Sequence, residues 1–489
     1  MKIPFSILLW CMGATLIFAQ EVIVSRPQKI SAKITEFEFI GKTDEGLLVH
    51  KFGSRTNVIE AFDLDNLSIN WYRDLNLRGK KTKVIDIIEK NNELIIIYTH
   101  QDRRDVRLFA QKLNSRLKVI KNEVLLASFK KGFGDPNFEY DVIYDKKQQH
   151  FLIQKKIKDS VGYEQIECLL IDRDLKKLGE KTFDFETNWR YVETVMRNDG
   201  LFYMVRGKVK RSFFSDGDLF SEILITECNL EKDEDRTVQL QEEKHLFNGF
   251  QSEWDALNER LVVSGFYSER QESEVHGFLY IFINFDEKEP SRKIFTPFNE
   301  EVIKKMARKG LFGSPKDHVQ YVEIRKLVLR SDGGALLIGE AHSKISPNND
   351  LRPPIFDSRM SSRNQVMVQY FYDDVLIISI NPDGQMHWGE VIKKQQYSEN
   401  DRGYFLSIGF MNTRENIHVL FNETMTKSSK LNDCRIDSEG EYRIRSIFDA
   451  EAYQVNLAPR YAEQLSSNEV IVPAFNQRNE FVLVKFTYE

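Results

Sequence analysis

The chain is short of the residues and patterns that most catalytic and metal-binding chemistries need. It has four cysteines in 489 residues, and the three that follow the N-terminal apolar run (Cys168, Cys228 and Cys434) match no CxxC or zinc spacing. Being odd in number, these three cannot all pair within one chain. Each sits in a strand-like run, where a buried thiol is the expected state. There is no HExxH, no GxSxG, no phosphate-cradling glycine loop ending in Lys-Ser/Thr and no GxGxxG at a strand–helix junction. The nine histidines are scattered, so sequence offers no metal-ligand cluster, and no cofactor is expected. Excess charge of one sign is also lacking: 69 Lys and Arg against 74 Asp and Glu supply no basic field for nucleic acid.

Long apolar runs are confined to the start. Met1 to Gln20 has one Lys, an apolar stretch from Ile3 to Phe18 and a small Ala19, the layout of a secretory signal peptide over residues 1–19. The alternative is an uncleaved membrane anchor. Bulky Trp10 before Cys11 argues against lipid attachment. No later segment is apolar over the length a bilayer-spanning helix requires.

What the chain has in abundance is strand signal. Aromatic residues make up 12%, with 35 Phe, a composition suited to half-buried pleated surfaces. A hairpin recurs in which a β-rich run reaches a polar turn and a second run follows. The turns open at Asp65, Asn114, Asp172, Glu231, Asp286, Asn381 and Asp437, at steps of 49, 58, 59, 55, 95 and 56 residues. Another pair of strand-like segments precedes each hairpin, often across Asn-Asn, Asp-Gly or Gly-Gly, residues that supply the positive φ of tight turns. Each unit is therefore about four antiparallel strands, which cannot bury both faces alone. Radial packing does so, and predicts an all-β fold: one β-propeller over residues 20–489 with about eight four-stranded blades, seven being the alternative count. A pair of β-sandwiches is the rival architecture. The last unit lacks a fourth strand and EVIVSRPQKIS near the N-terminus has no unit of its own, so the N-terminal strand is expected to close the ring.

Two insertions, at about 297–316 and 343–366, account for the 95-residue step. The first reads as a short helix, with Asn299 as N-cap, Glu300 and Glu301 in the first turn, and Val302, Ile303 and Met306 on one side. The second is polar and Pro-rich and reads as a surface loop. NPDGQ at Asn381 is a tight turn, with too few oxygen ligands for a calcium loop. Around it lies the densest polar and aromatic concentration in the chain: Glu340, His342, Tyr370, Tyr372, Asp373, Asp374, Lys393, Lys394, Gln395 and Asp401. These are the candidate ligand- or partner-binding residues. Asp373 and Asp374 point to opposite faces of a strand, so a paired acid and base is not expected there.

AFDLDNLSINW and ISINPDGQMHW look like the Asp-x-x-x-Gly-x-x-x-Trp hairpins of quinoprotein dehydrogenases, although the first has no Gly. The stretch ALLIGEAHSK…VQYFYDDVLIISINPDGQMHWGEVIKKQQYSENDRGYFLSIGF…NIHVLFNE resembles a group of uncharacterised exported proteins common in Bacteroidota. They share a Gly-Glu strand, a Tyr-rich Asp-Asp strand, an Asp-Gly-x-x-x-Trp hairpin and a Lys-Lys-Gln segment. This chain departs from their Phe-Asn-Asp ending with Glu423. The resemblance covers about Leu327 to Glu423. It implies export to the cell envelope, in the periplasm or at the surface, and brings no catalytic residues with it. The expectation is a non-catalytic binding or scaffold module whose partner is an envelope protein or glycan, in one version within an outer-membrane complex docked through the Asn299–Lys309 helix. The alternative is a polysaccharide- or peptide-directed hydrolase or lyase with its site at the propeller axis.

Overall fold

The computed structural model describes residues 21–488 apart from 55, 78–80, 133–137, 159–162, 187, 211–218, 270–273, 288–290, 307–321, 346–367 and 424–428. Every strand pairing is antiparallel, and among the described residues the strands fall into eight four-stranded meanders. Units 1 to 7 span 36–74, 82–130, 138–184, 189–241, 245–297, 322–399 and 409–449, and unit 8 joins 455–487 to Glu21–Val24. Units 4 and 5 form one hydrogen-bonded sheet, stitched by Leu219–Asn248 and Phe220–Phe247.

Each of the seven turns found in the sequence joins the third strand of its unit to the fourth. Their chemistry is local. Asx side chains just before or within the turn accept backbone N–H groups, as Asp63 does from Asp65 and Asn66 and Asp437 from Glu439 and Glu441. NPDGQ is such a turn: Gly384 N donates to the Asn381 carbonyl at 2.8 Å with Gly384 at φ +88°. In unit 8 no such turn occurs. Its fourth strand is Glu21–Val24, paired along Val484–Thr487, and the Ser25 hydroxyl accepts the Leu483 N–H at 2.9 Å.

Burial follows the ring. Eight apolar clusters each join two neighbouring units, and the series runs unbroken from units 1–2 round to units 8–1, where Leu47, Val49 and Phe62 pack on Ile471, Phe481 and Leu483. Each buried Leu, Ile or Phe contributes about 1.5–3 kcal/mol on leaving water, so no unit holds its core without a neighbour. The chain is a β-propeller. First strands pack side by side toward the axis in units 1 to 6, and again between units 7 and 8. The three cysteines are buried.

The helix is Glu300–Met306, and Asn299 Oδ1 accepts the Val302 N–H at 2.9 Å as the N-cap. Val302 and Met306 are buried in the cluster between units 5 and 6, with Ile303 against it. The apolar side of the helix is spent on the propeller's own core, and Lys305 is paired with Glu301 and Glu390. Residues 1–20, the rest of the first insertion and nearly all of the second lie outside the described residues. No helix among the described residues is long and apolar enough to cross a membrane.

Candidate functional site

In a four-stranded meander the start of strand one, the end of strand two and the start of strand three lie at the same end. In unit 6 that end brings together Val322–Leu329, Ala335–Ile345 and Gln369–Ile380. The third of these strands changes partner midway: Val375–Ile380 pairs with Met386–Ile392, whereas Gln369–Tyr372 pairs with Gln396–Glu399. Asp373 and Asp374 sit at the changeover, opposite a bulge between Glu340 and His342. Lys393, Lys394 and Gln395 form the crossover.

Here the candidate residues separate. Alternation across the crossover buries Lys394 and Gln396 and leaves Lys393 and Gln395 outside. Lys394 Nζ lies 2.6 Å from Glu340 Oε1 and donates to the Tyr372 carbonyl at 3.1 Å and to Gln396 Oε1 at 3.0 Å. The other Glu340 oxygen accepts from Arg325 Nε at 2.7 Å and from the Ser407 hydroxyl at 2.6 Å. Gln396 also accepts the Ser407 N–H and donates to the Asn422 carbonyl, both at 2.8 Å. Burial lowers the Lys394 pKa, against the pull of Glu340. With its charge matched by Lys394 and Arg325, Glu340 is a structural anchor.

Nearer solvent, Tyr372 is the hub. Its ring lies 4.4 Å from the His342 ring, 5.3 Å from the Arg325 guanidinium and 5.5 Å from that of Arg460 in unit 8. Glu323 accepts from this group, 3.1 Å from Arg325 Nη1 and 3.2 Å from His342 Nδ1. Its burial would raise its pKa, but the His342 hydrogen bond and the Arg325 charge outweigh that and hold it low. Tyr370 packs with Val368, Tyr372 and Leu406. Asp374 takes the exposed Lys393 ammonium at 2.8 Å and the Lys394 N–H at 3.2 Å. Asp373 is buried within reach of the Lys394 charge. Asp401 is a turn-former, accepting from Ser398 Oγ and Gly403 N. Gln395 is exposed and outside the network.

Sequence reasoning missed Arg325, Glu323, Gln396, Ser407, Asn422 and Arg460. Gln396 was within reach of the Lys394 periodicity; the others come from distant segments that nothing local marks.

A cavity of about 340 Å³ opens on the same face, between units 8 and 1. Its walls include Phe37, Tyr404, Tyr461, Phe475 and Phe481, with Lys51 and Arg402. One loop serves both places: Arg402 and Tyr404 face the cavity, the Gly403 carbonyl accepts from Arg460 Nη1 at 3.0 Å, and Ser407 reaches Glu340. At the axis, first-strand carboxyls crowd each other. Burial and the neighbouring Glu38 push Asp86 up to about 7, and burial pushes Glu193 up to about 8. Among the described residues no group of three or more His, Cys, Asp or Glu is placed to hold a metal ion.

No protein-family model and no curated protein matches the chain. Among solved structures it is similar to the Nup133 β-propeller domain of Vanderwaltozyma polyspora, at 7% identity over 82% of this chain and 100% of that one, with a TM-score of 0.38. It is similar to the polysaccharide lyase Uly1 at 8% identity, over 95% and 99% of the two chains, with a TM-score of 0.37. A prolyl endopeptidase structure is matched at 10% identity over 81% of this chain, with a TM-score of 0.32, and the chain spans 55% of its length.

Proposed function

We infer that the chain is an exported β-propeller acting as a binding or scaffold module of the cell envelope, and that it takes its ligand on the face where the first strands begin. The observation that carries this is the aromatic cavity of about 340 Å³ built from units 8 and 1 and the Asn400–Ser407 loop. A concave, mostly apolar site with a few convergent polar groups is the usual form of a binding site. The buried ion network beside it supports the loop that shapes it. Envelope location rests on the N-terminal signal layout and on the resemblance to exported proteins of Bacteroidota. The partner is an envelope glycan or protein, by itself or within an outer-membrane complex.

The test is binding of a glycan panel and of envelope proteins by the wild type and by a Tyr404→Ala/Tyr461→Ala variant. Capture that weakens at least tenfold at an unchanged unfolding midpoint supports the site. Binding untouched by both substitutions moves it off this face.

One observation favours a hydrolase or lyase as second reading. Asp86 and Glu193 hold protons near neutral pH, which is what a general acid needs. Asp86 acts across the axis: Tyr144 of unit 3 is raised by burial and then by Asp86 of unit 2 and Glu463 of unit 8. Degradation of a polysaccharide or peptide that Asp86→Asn abolishes would establish this reading in place of the first.

A further inference from the structure

The rim between units 6 and 8 holds Arg325, His342 and Arg460, whose hydrogen-bonding capacity is only partly used. Arg325 gives Nε to Glu340 and Nη1 to Glu323, while its buried Nη2 has no partner among the described residues. His342 meets Glu323 through Nδ1, and its buried Nε2 has none either. Arg460 donates through Nη1 to the Gly403 carbonyl and lies over Tyr372. An unpaired guanidinium donor out of water is unfavourable, so Arg325 is complete only with an acceptor in front of Nη2. A guanidinium fork matches the two oxygens of a carboxylate, which an ammonium does not.

The second observation is covalent continuity with the cavity. Arg460 is followed by Tyr461, and Gly403 by Tyr404; both tyrosines line the cavity, their rings 4.8 Å apart at centroids. The cations on its walls are already occupied: Lys51 is held by Glu60 at 2.6 Å and Gln28 at 2.8 Å, and Arg402 is engaged as well. The cavity is therefore suited to a neutral ring with one apolar face and a hydroxylated edge, with Ser31, Thr35 and Asn479 on its walls for the hydroxyls. Charge is recognised next door.

We propose that Arg325 and Arg460, with His342 beside them, form a carboxylate subsite for an acidic saccharide whose adjoining sugar lies against Tyr404 and Tyr461. This rests on the binding-face reading and names its ligand class: a uronate-containing oligosaccharide. Arg325 and Arg460 bind the charge, and the tyrosines bind the apolar face of the neighbouring ring.

The experiment is calorimetric titration of the exported chain with tri- and tetrasaccharides of galacturonate, glucuronate and mannuronate, and with the same sugars after carboxyl reduction. At least one uronate is expected to bind tenfold or more tightly than its reduced form. Arg460→Gln is expected to remove that preference while leaving the reduced sugar unchanged, with Arg460→Lys intermediate; Tyr461→Ala weakens both forms. Arg460 is chosen because Arg325 also braces Glu340, and unfolding midpoints check both variants. Equal affinity for acid and reduced sugar, still sensitive to Tyr461→Ala, overturns the carboxylate subsite and leaves the binding face standing. Acidic peptides bound through Arg460, with no saccharide bound, overturn the saccharide class alone. Failure of the saccharides together with loss of any dependence on Tyr404 and Tyr461 overturns both.

Discussion

Two lysines on the same face of the ring are both out of water, and they are held in different ways. Lys394 has a side chain 1% exposed against a Glu340 that is 0% exposed, with Gln396 and the Tyr372 carbonyl completing its donors. Lys51 is 4% exposed against a Glu60 that is 14% exposed; Gln28 is its other acceptor, and the Phe481 ring lies 4.3 Å away. Burial lowers both pKa values, and a carboxylate opposes it in each case. The first pair is sealed between units 6 and 7. The second forms part of a cavity wall. One region is shut and holds a loop in place, the other opens onto a cavity, and the Asn400–Ser407 loop is shared by both.

The contrast can be broken most severely at Glu340. Glu340→Ala leaves Lys394 without its carboxylate, and Arg325 without one of its two, in a site closed to water. The expected loss is about 3–5 kcal/mol, read from the denaturant midpoint. Glu340→Met combined with Lys394→Met is expected to cost less than the sum of the single changes. A loss near zero for Glu340→Ala would mean the network is open to solvent.

The axial carboxyls extend the comparison to Asp86, a half-buried carboxyl close to the carboxylates Glu38 and Asp141. Asp86 has a folded-state pKa of about 7 against an ordinary value of 3.8. The native state thus keeps a proton that the unfolded chain loses. Stability falls as pH rises from the unfolded pKa to about 7, and is level above. Asp86→Asn removes that loss: at pH 8 it is expected to stabilise by about 2–4 kcal/mol, and at pH 3.5 to change little. Parallel unfolding curves for the two proteins across this range would remove the argument.

Lys51→Met sharpens the difference between the lysines. Glu60 regains water through the cavity, so the expected cost is about 2 kcal/mol, well below that at Glu340. Equal costs would make the cavity closed. The smallest effect is expected at Gly403, with φ +65° and a position where a Cβ would meet Tyr372 Cε2 at 2.7 Å. Gly403→Ala costs about 1–2 kcal/mol and displaces Tyr372, so ligand affinity is expected to fall more than stability.

Much of the architecture was legible because its signals are local. The seven turn positions were readable from Asx and Gly residues within five-residue windows, and all seven join third to fourth strands. The missing last strand was readable too, since EVIV had no hairpin partner near it and pairs instead with Val484–Thr487. The site was legible in one half. Glu340, Tyr372 and Lys394 lie within one unit, and their density marked the place. Gln395 was taken where Gln396 turns inward, because the partner-strand switch at Asp373–Asp374 sets which residues face the core.

The sequence by itself determined the strand type, the repeat, the closure and the region of highest polarity, because alternation and turn chemistry act over a few residues. Only the tertiary structure decided which charges meet. Arg325, Ser407, Asn422 and Arg460 reach one place because units 6, 7 and 8 pack radially, and the cavity exists because residues 30–37 close on Tyr461 and Phe475–Phe481 from the other end of the chain. Side-chain ion pairs depend on ångström distances between segments that ring closure brings together, and no local pattern in the chain encodes those distances.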